Sequence, residues 1–289
     1  MLDQAASLRK LVADSEFNSC NIHKIKPKII TITSGKGGVG KSNFVVNLSI
    51  AIQNTGKKVL VFDADIGMGN DDVLMGFYPK YNVFDIIFNN KDIGEVVITG
   101  HNGVKLLPGG SGLSKIEELT KEQRDLFLEK LVAIQNVDYI LMDTGAGINK
   151  TVLAFAACCE ELILITTPEP TSLTDAYSLA KAIDHFKLKD KVSLIVNRVL
   201  DTREGRVTFS KFKNAVDTFL KIDVEYLGCI REDRKLIQSV RQQIPFIINY
   251  PNCDASKNIV EIARKIQGLT NDNSTNIQGF FRKIFNILS

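Results

Sequence analysis

The residues of this 289-residue chain best arranged for chemistry are the eight of GKGGVGKS, Gly35 to Ser42. They follow a β-branched run, KIITIT (28–33), and precede a helical pattern, NFVVNLSIAIQN. This satisfies G-x-x-x-x-G-K-[ST] in the strand–loop–helix setting that the motif requires. Gly35, Gly37, Gly38 and Gly40, with Val39 among them, let successive backbone N–H groups turn inward and cradle phosphate oxygens. The helix that starts there adds positive potential. Lys41 is expected to reach the β- and γ-phosphates and Ser42 to bind Mg²⁺ through its hydroxyl, with Asn43 next in the nucleotide-binding set. A Lys-Ser ending suits a triphosphate with its metal; a dinucleotide loop would read G-x-G-x-x-G.

Two acidic strand ends accompany the loop. VLVFDADIGMGNDD places Asp63 and Asp65 just past a second apolar run. An acid there can orient a water opposite the γ-phosphate, cap a helix or support the metal shell. YILMDTGAG closes another apolar run on Asp143, whose carboxylate would hold the Mg²⁺ shell, partly through water. Gly145 and Gly147 behind it give the loop freedom to respond to the γ-phosphate.

Six near-continuously apolar runs are positioned to carry these residues: 28–33, 58–63, 104–107, 138–143, 161–166 and 191–196. Strands buried on both faces of a parallel sheet have this look. Helical periods alternate with them, as in KEQRDLFLEKLVAIQ and LTDAYSLAKAIDHF. The alternation predicts an α/β fold with a doubly wound, mostly parallel sheet flanked by helices. VEYLGCI and IPFII, separated by a helical stretch, suggest further strands near the far edge. There is no internal repeat and no low-complexity tract.

Composition sets broad bounds. The apolar fraction is 44% and the net charge +3, which gives no push towards nucleic acid. Cys20, Cys158, Cys159, Cys229 and Cys253 show no CxxC spacing and read as reduced cytosolic thiols. The opening MLDQAASLRKLV lacks a signal-peptide layout. No run of ~18 apolar residues is long enough to span a bilayer.

The second lysine of KGGVGK, Lys36, makes the chain resemble the deviant Walker A ATPases, which include MinD, ParA, the nitrogenase iron protein and FlhG. The resemblance covers roughly residues 28–268. It implies a P-loop NTPase fold, ATP and Mg²⁺, and a homodimer in which Lys36 reaches the partner's nucleotide. Charge arriving in trans also resembles an arginine finger. By the same likeness Asp65 orients the attacking water, Asp63 supports the metal with Ser42 and Asp143, and Asn70 and Asp72 are switch contacts. Asn197 and Arg198, ending KVSLIVNR, match the adenine side. Lys36, Lys41 and Asp65 are thus the catalytic set. Two departures stand out: Gly145 where the family has proline, and Arg231 where many relatives have proline near adenine.

Two appendages flank the expected ATPase domain, 28–269. At the C-terminus a polar linker, 270–276, precedes IQGFFRKIFNILS (277–289). Ile277, Phe280, Phe281, Ile284, Phe285 and Leu288 form one apolar stripe of an amphipathic helix, with Arg282 and Lys283 off it. Such a helix either folds back on its domain or lies on an anionic membrane surface. The phenylalanines and the polar linker favour the membrane. Two helices per dimer would then give reversible residence on the inner face of the cell membrane. At the N-terminus LDQAASLR (within residues 1–12, before a linker at 13–27) resembles the DQAxxLR motif of FlhG, which docks on the signal-recognition-type GTPase FlhF and stimulates it. Asp3, Gln4, Leu8 and Arg9 would meet that partner, with Gln4 as the matching glutamine.

The resemblance therefore implies a slow ATPase governing flagellar number and placement. A MinD-type division-site ATPase and a ParA-type DNA-partition ATPase are the alternatives, the latter disfavoured by near-neutral charge. It leaves open flagellar basal-body proteins or a transcription regulator as further partners.

Overall fold

The computed structural model describes residues 27–65, 69, 71–110, 118–268 and 276–288. Apolar runs buried on both faces become the strands of one eight-stranded sheet. They are β1 (Lys28–Ser34), β2 (Val59–Ala64), β3 (Ile98–Thr99), β4 (Lys105–Leu107), β5 (Tyr139–Ala146), β6 (Glu161–Thr166), β7 (Lys191–Val199) and β8 (Asp223–Arg231). Their order is β3-β4-β2-β5-β1-β6-β7-β8. Every pairing is parallel except that of two-residue β3 with β4. β3 ends the short run VVIT (96–99) and was not read from the sequence.

Eight helices of two turns or more lie among the described residues: α1 (Lys41–Gln53), α2 (Lys121–Leu131), α3 (Lys150–Cys158), α4 (Pro170–His185) and α5 (Thr202–Phe219) between strands, then α6 (Arg234–Gln242), α7 (Asp254–Gly268) and α8 (Ile277–Leu288) after β8. Side chains start several of them. Thr120 and Gln123 form a capping box on α2, while Asn149, Asp201 and Asp233 cap α3, α5 and α6. α1 and α7 pack in the core of one sheet face; residues of α2 to α5 and α8 share the core of the other. From β1 the chain runs to β2 on one side and later to β6 on the other. The loop leaving β1 therefore sits at the divergence, where open α/β sheets bind ligands.

One expectation is corrected. IPFII is no strand: Pro245 starts a one-turn helix, Phe246–Asn249. Phe246 and Ile247 are buried, and the Ile247 N–H donates to Asn47 Oδ1 on α1 at 2.9 Å. The sheet therefore ends at β8.

The C-terminal stripe lies inside the molecule, the folded-back alternative of the two that its sequence allowed. Ile277, Phe280, Phe281, Ile284, Phe285 and Leu288 are each at most 5% exposed and belong to the main core cluster. Phe281 meets Phe62 and Phe127 edge-on, with ring centroids 5.2 and 5.1 Å apart. Phe280 lies 6.0 Å from Phe155, and Lys150 Nζ donates to the Leu288 carbonyl at 2.8 Å. Three aromatic rings on the domain offer this stripe a better partner than solvent, so α8 is a layer of the domain and none of the six faces lipid in this conformation. No helix among the described residues is long and apolar enough to cross a membrane.

Candidate active site

The loop from Gly35 to Gly40 joins β1 to α1, and its backbone explains its composition. A side chain at Gly35 would stand 2.2 Å from the Asp175 backbone on α4. At Gly40, φ is +92° and a Cβ would lie 2.4 Å from Asn197 Nδ2. Both positions admit only glycine: one for the close approach of a helix, the other for a left-handed turn against a side chain.

Lys41, the first residue of α1, is 7% exposed and donates to Asp143 Oδ1 at 2.6 Å. Burial opposes its ammonium, but the Asp143 charge and hydrogen bond outweigh that and raise its pKa. Asp143 sits on β5 opposite Asp63 on β2. Desolvation, then the Asp143 charge, lifts Asp63 to about 7. Asp63 accepts the Asp65 N–H at 3.2 Å, which shapes the start of the segment after β2. Asp65 lies against Gly145, where a Cβ would sit 3.3 Å from Asp65 Oδ1. The segments that follow β2 and β5 thus meet beside Lys41, whose ammonium feels the Asp65 charge.

Lys36 has different partners. It reaches Glu169 Oε2 at 3.3 Å and Thr171 Oγ1 at 3.0 Å, at the start of α4. Its side chain is 39% exposed. The two lysines of one loop therefore serve separate places, Lys41 inward and Lys36 at the surface.

Asn197 is buried, with its amide donating to the Val39 carbonyl at 2.7 Å and accepting from the Arg198 N–H. It braces the loop from behind; an adenine edge would have to share or displace those bonds. Arg198 is exposed, with a φ of 57°. Arg231 ties β8 to α7 through Asp254 at 2.6 Å, a structural role. Ser42 and Asn43 are half-buried at the loop's exit. Asn70, Asp3, Gln4, Leu8 and Arg9 lie outside the described residues.

Three participants were missed in the sequence. Glu169 and Thr171 sit in TTPEPTS, just past β6, a strand-end position that invites such a role. The third is Asp71. Asp72, the expected switch contact, turns outward to cap the Val73 N–H at 2.8 Å, and it is Asp71 that is fully buried beside the cluster. The doublet after Asn70 was the available signal.

The residues fit a magnesium triphosphate. Asp63, Asp71 and Asp143 share one ammonium, so the cluster is short of positive charge. Among the described residues no three acids, histidines or cysteines are spaced to hold a metal unaided. Phosphate oxygens and Ser42 would have to complete a shell held by Asp63 and Asp143, as Mg²⁺ prefers. Bound there, the cation would supply charge neutralisation at the transferring phosphoryl group.

A glycine cradle, an inward lysine and paired acids at the sheet's divergence define a P-loop nucleotide-hydrolase site. A family model described as an AAA domain matches residues 27–196. The chain is 33% identical over 240 residues to antiactivator FleN of Pseudomonas aeruginosa, covering 83% of this chain and 86% of that one. It is 37% identical over 269 residues to the flagellum site-determining protein YlxH of Helicobacter pylori, covering 91% and 90%. The septum site-determining protein MinD of Pyrococcus horikoshii, solved with Mg-ADP, shares the fold with a TM-score of 0.65 at 24% identity, covering 83% and 96%. The chain belongs to the MinD/ParA-type P-loop ATPases, in the family of FleN and YlxH (FlhG). It is an ATPase.

Proposed function

We propose that this ATPase is a switch that sets flagellar number and placement, dimerising around ATP and Mg²⁺. The division of labour between the two loop lysines carries this reading. Lys41 is committed to the buried acids, whereas Lys36 stands exposed on Glu169 and Thr171, from which it can swing to a nucleotide held by a second copy. Asp65, beside Gly145, orients the attacking water, and Lys36 adds charge at the phosphates in trans. The flagellar assignment rests on the likeness to FleN and YlxH.

In the same reading the dimer works from the cytoplasm, reversibly at the inner face of the cell membrane. Because its apolar stripe is buried, α8 has to leave its seat to reach lipid. Residues 1–12 dock on an FlhF-type GTPase and stimulate it, with Gln4 placing the water. A peptide of residues 1–12 added to such a GTPase should raise its turnover severalfold, and a Gln4→Ala peptide should not. If the first peptide has no effect, GTPase stimulation is lost from the proposal and a division-site role becomes the better reading.

A further inference from the structure

β8 is the edge strand of the sheet, and it bulges where Tyr226 and Gly228 pair with the successive residues Leu194 and Ile195, leaving Leu227 over. Such a bulge re-aims side chains and often lies beside a site. Gly228 lets the strand approach α7, where a Cβ would stand 2.9 Å from Ile262 Cγ1. Lys265 Nζ on α7 donates to the Leu227 carbonyl at 3.0 Å, in the place of a neighbouring strand. Between α5, this edge and α7 lies a cavity of about 460 Å³.

Its lining combines rings with opposite charges. Phe209 on α5 and Tyr226 on β8 are half-buried, with ring centroids 4.8 Å apart. Arg206 stands on the α5 wall, and among the described residues no acid pairs with it. Glu261 stands on the α7 wall, with only a loose contact to Lys265 at 3.6 Å. Both charges act on Tyr226, each from its own helix, yet they do not pair with each other. They are the two poles of a gap.

We infer that this cavity binds a small zwitterion, an α-amino acid with an apolar side chain. Its carboxylate would meet Arg206, its ammonium Glu261, and its side chain Phe209 and Tyr226. A guanidinium takes a carboxylate through paired, charge-assisted hydrogen bonds. A simple anion would be drawn to Arg206 but repelled by Glu261, and a simple cation would meet the reverse. The volume is that of a small-molecule site. None of these residues belongs to the nucleotide site, so the inference goes beyond the ATPase reading.

The test is titration of the full chain with L-phenylalanine and L-leucine, followed by heteronuclear NMR. Both should bind with a dissociation constant of about 1 mM or tighter and move the signals of Gly228 and Cys229. Hydrocinnamate, which lacks the ammonium, and phenethylamine, which lacks the carboxylate, should each bind about tenfold more weakly than L-phenylalanine. Arg206→Gln should weaken L-phenylalanine about tenfold without weakening phenethylamine, and Glu261→Gln should weaken it likewise without weakening hydrocinnamate. Both residues are exposed, so the variants should fold and hydrolyse ATP as the wild type does. No saturable shift with either amino acid at about 10 mM overturns the inference. Equal binding of the two analogues, or full binding by both variants, overturns it as well.

Discussion

A chain ending at Gly268 is expected to lose most of its stability. Its removal strips Phe280, Phe281, Ile284 and Phe285 from a core they share with Phe62, Phe127 and Phe155. Deleting a single buried phenylalanine side chain typically costs ~3–5 kcal/mol, against a total stability of only ~5–15. Phe281→Ala alone, which leaves a void among three rings, should lower the melting temperature by several degrees. The truncated chain should melt far lower still, or bind a hydrophobic dye strongly while cold. A melting curve matching that of the full chain would mean that α8 sits on the domain only loosely. Any loss of lipid binding on truncation must be read with this in mind, since the fold changes too. Arg282→Glu with Lys283→Glu, off the buried stripe, probes the membrane without that confusion.

Lys41→Ala should abolish nucleotide binding. A hydrogen bond to a charged group is worth ~1.5–3 kcal/mol, and two phosphates would share this ammonium, so affinity should fall at least ~100-fold. The substitution also leaves Asp143 buried without its cation, a loss of ~3–5 kcal/mol in the usual case. Neighbouring Asp63, already lifted to about 7 by burial and the Asp143 charge, can relieve part of that cost by taking up a proton. Calorimetry with ATP and a melting curve together separate the two effects. Retained binding by a folded Lys41→Ala protein would contradict the site as described.

Most of the sheet was legible because its strands are apolar on both faces, and the loop because glycine, lysine and serine at fixed spacing have one good use. IPFII was misread because a short apolar run looks alike in a strand and a buried turn; Pro245 was the clue. The amphipathic stripe of α8 would look the same facing lipid or facing Phe62 and Phe127, since periodicity reports an apolar face and not what covers it. Asp71 was passed over because sequence cannot tell which member of an Asp-Asp pair turns inward. Glu169 and Thr171 come from a different crossover, and only the fold brings them to Lys36.

The most direct test of this account is the mass of Asp65→Ala in solution, by light scattering, with Mg-ATP and with Mg-ADP. Blocking the water-orienting acid should preserve the triphosphate, so the ATP sample should have twice the mass of the ADP sample. Adding Lys36→Ala should return it to the single-chain mass while ATP stays bound. A single-chain mass for Asp65→Ala saturated with Mg-ATP would contradict the claim that nucleotide joins two copies.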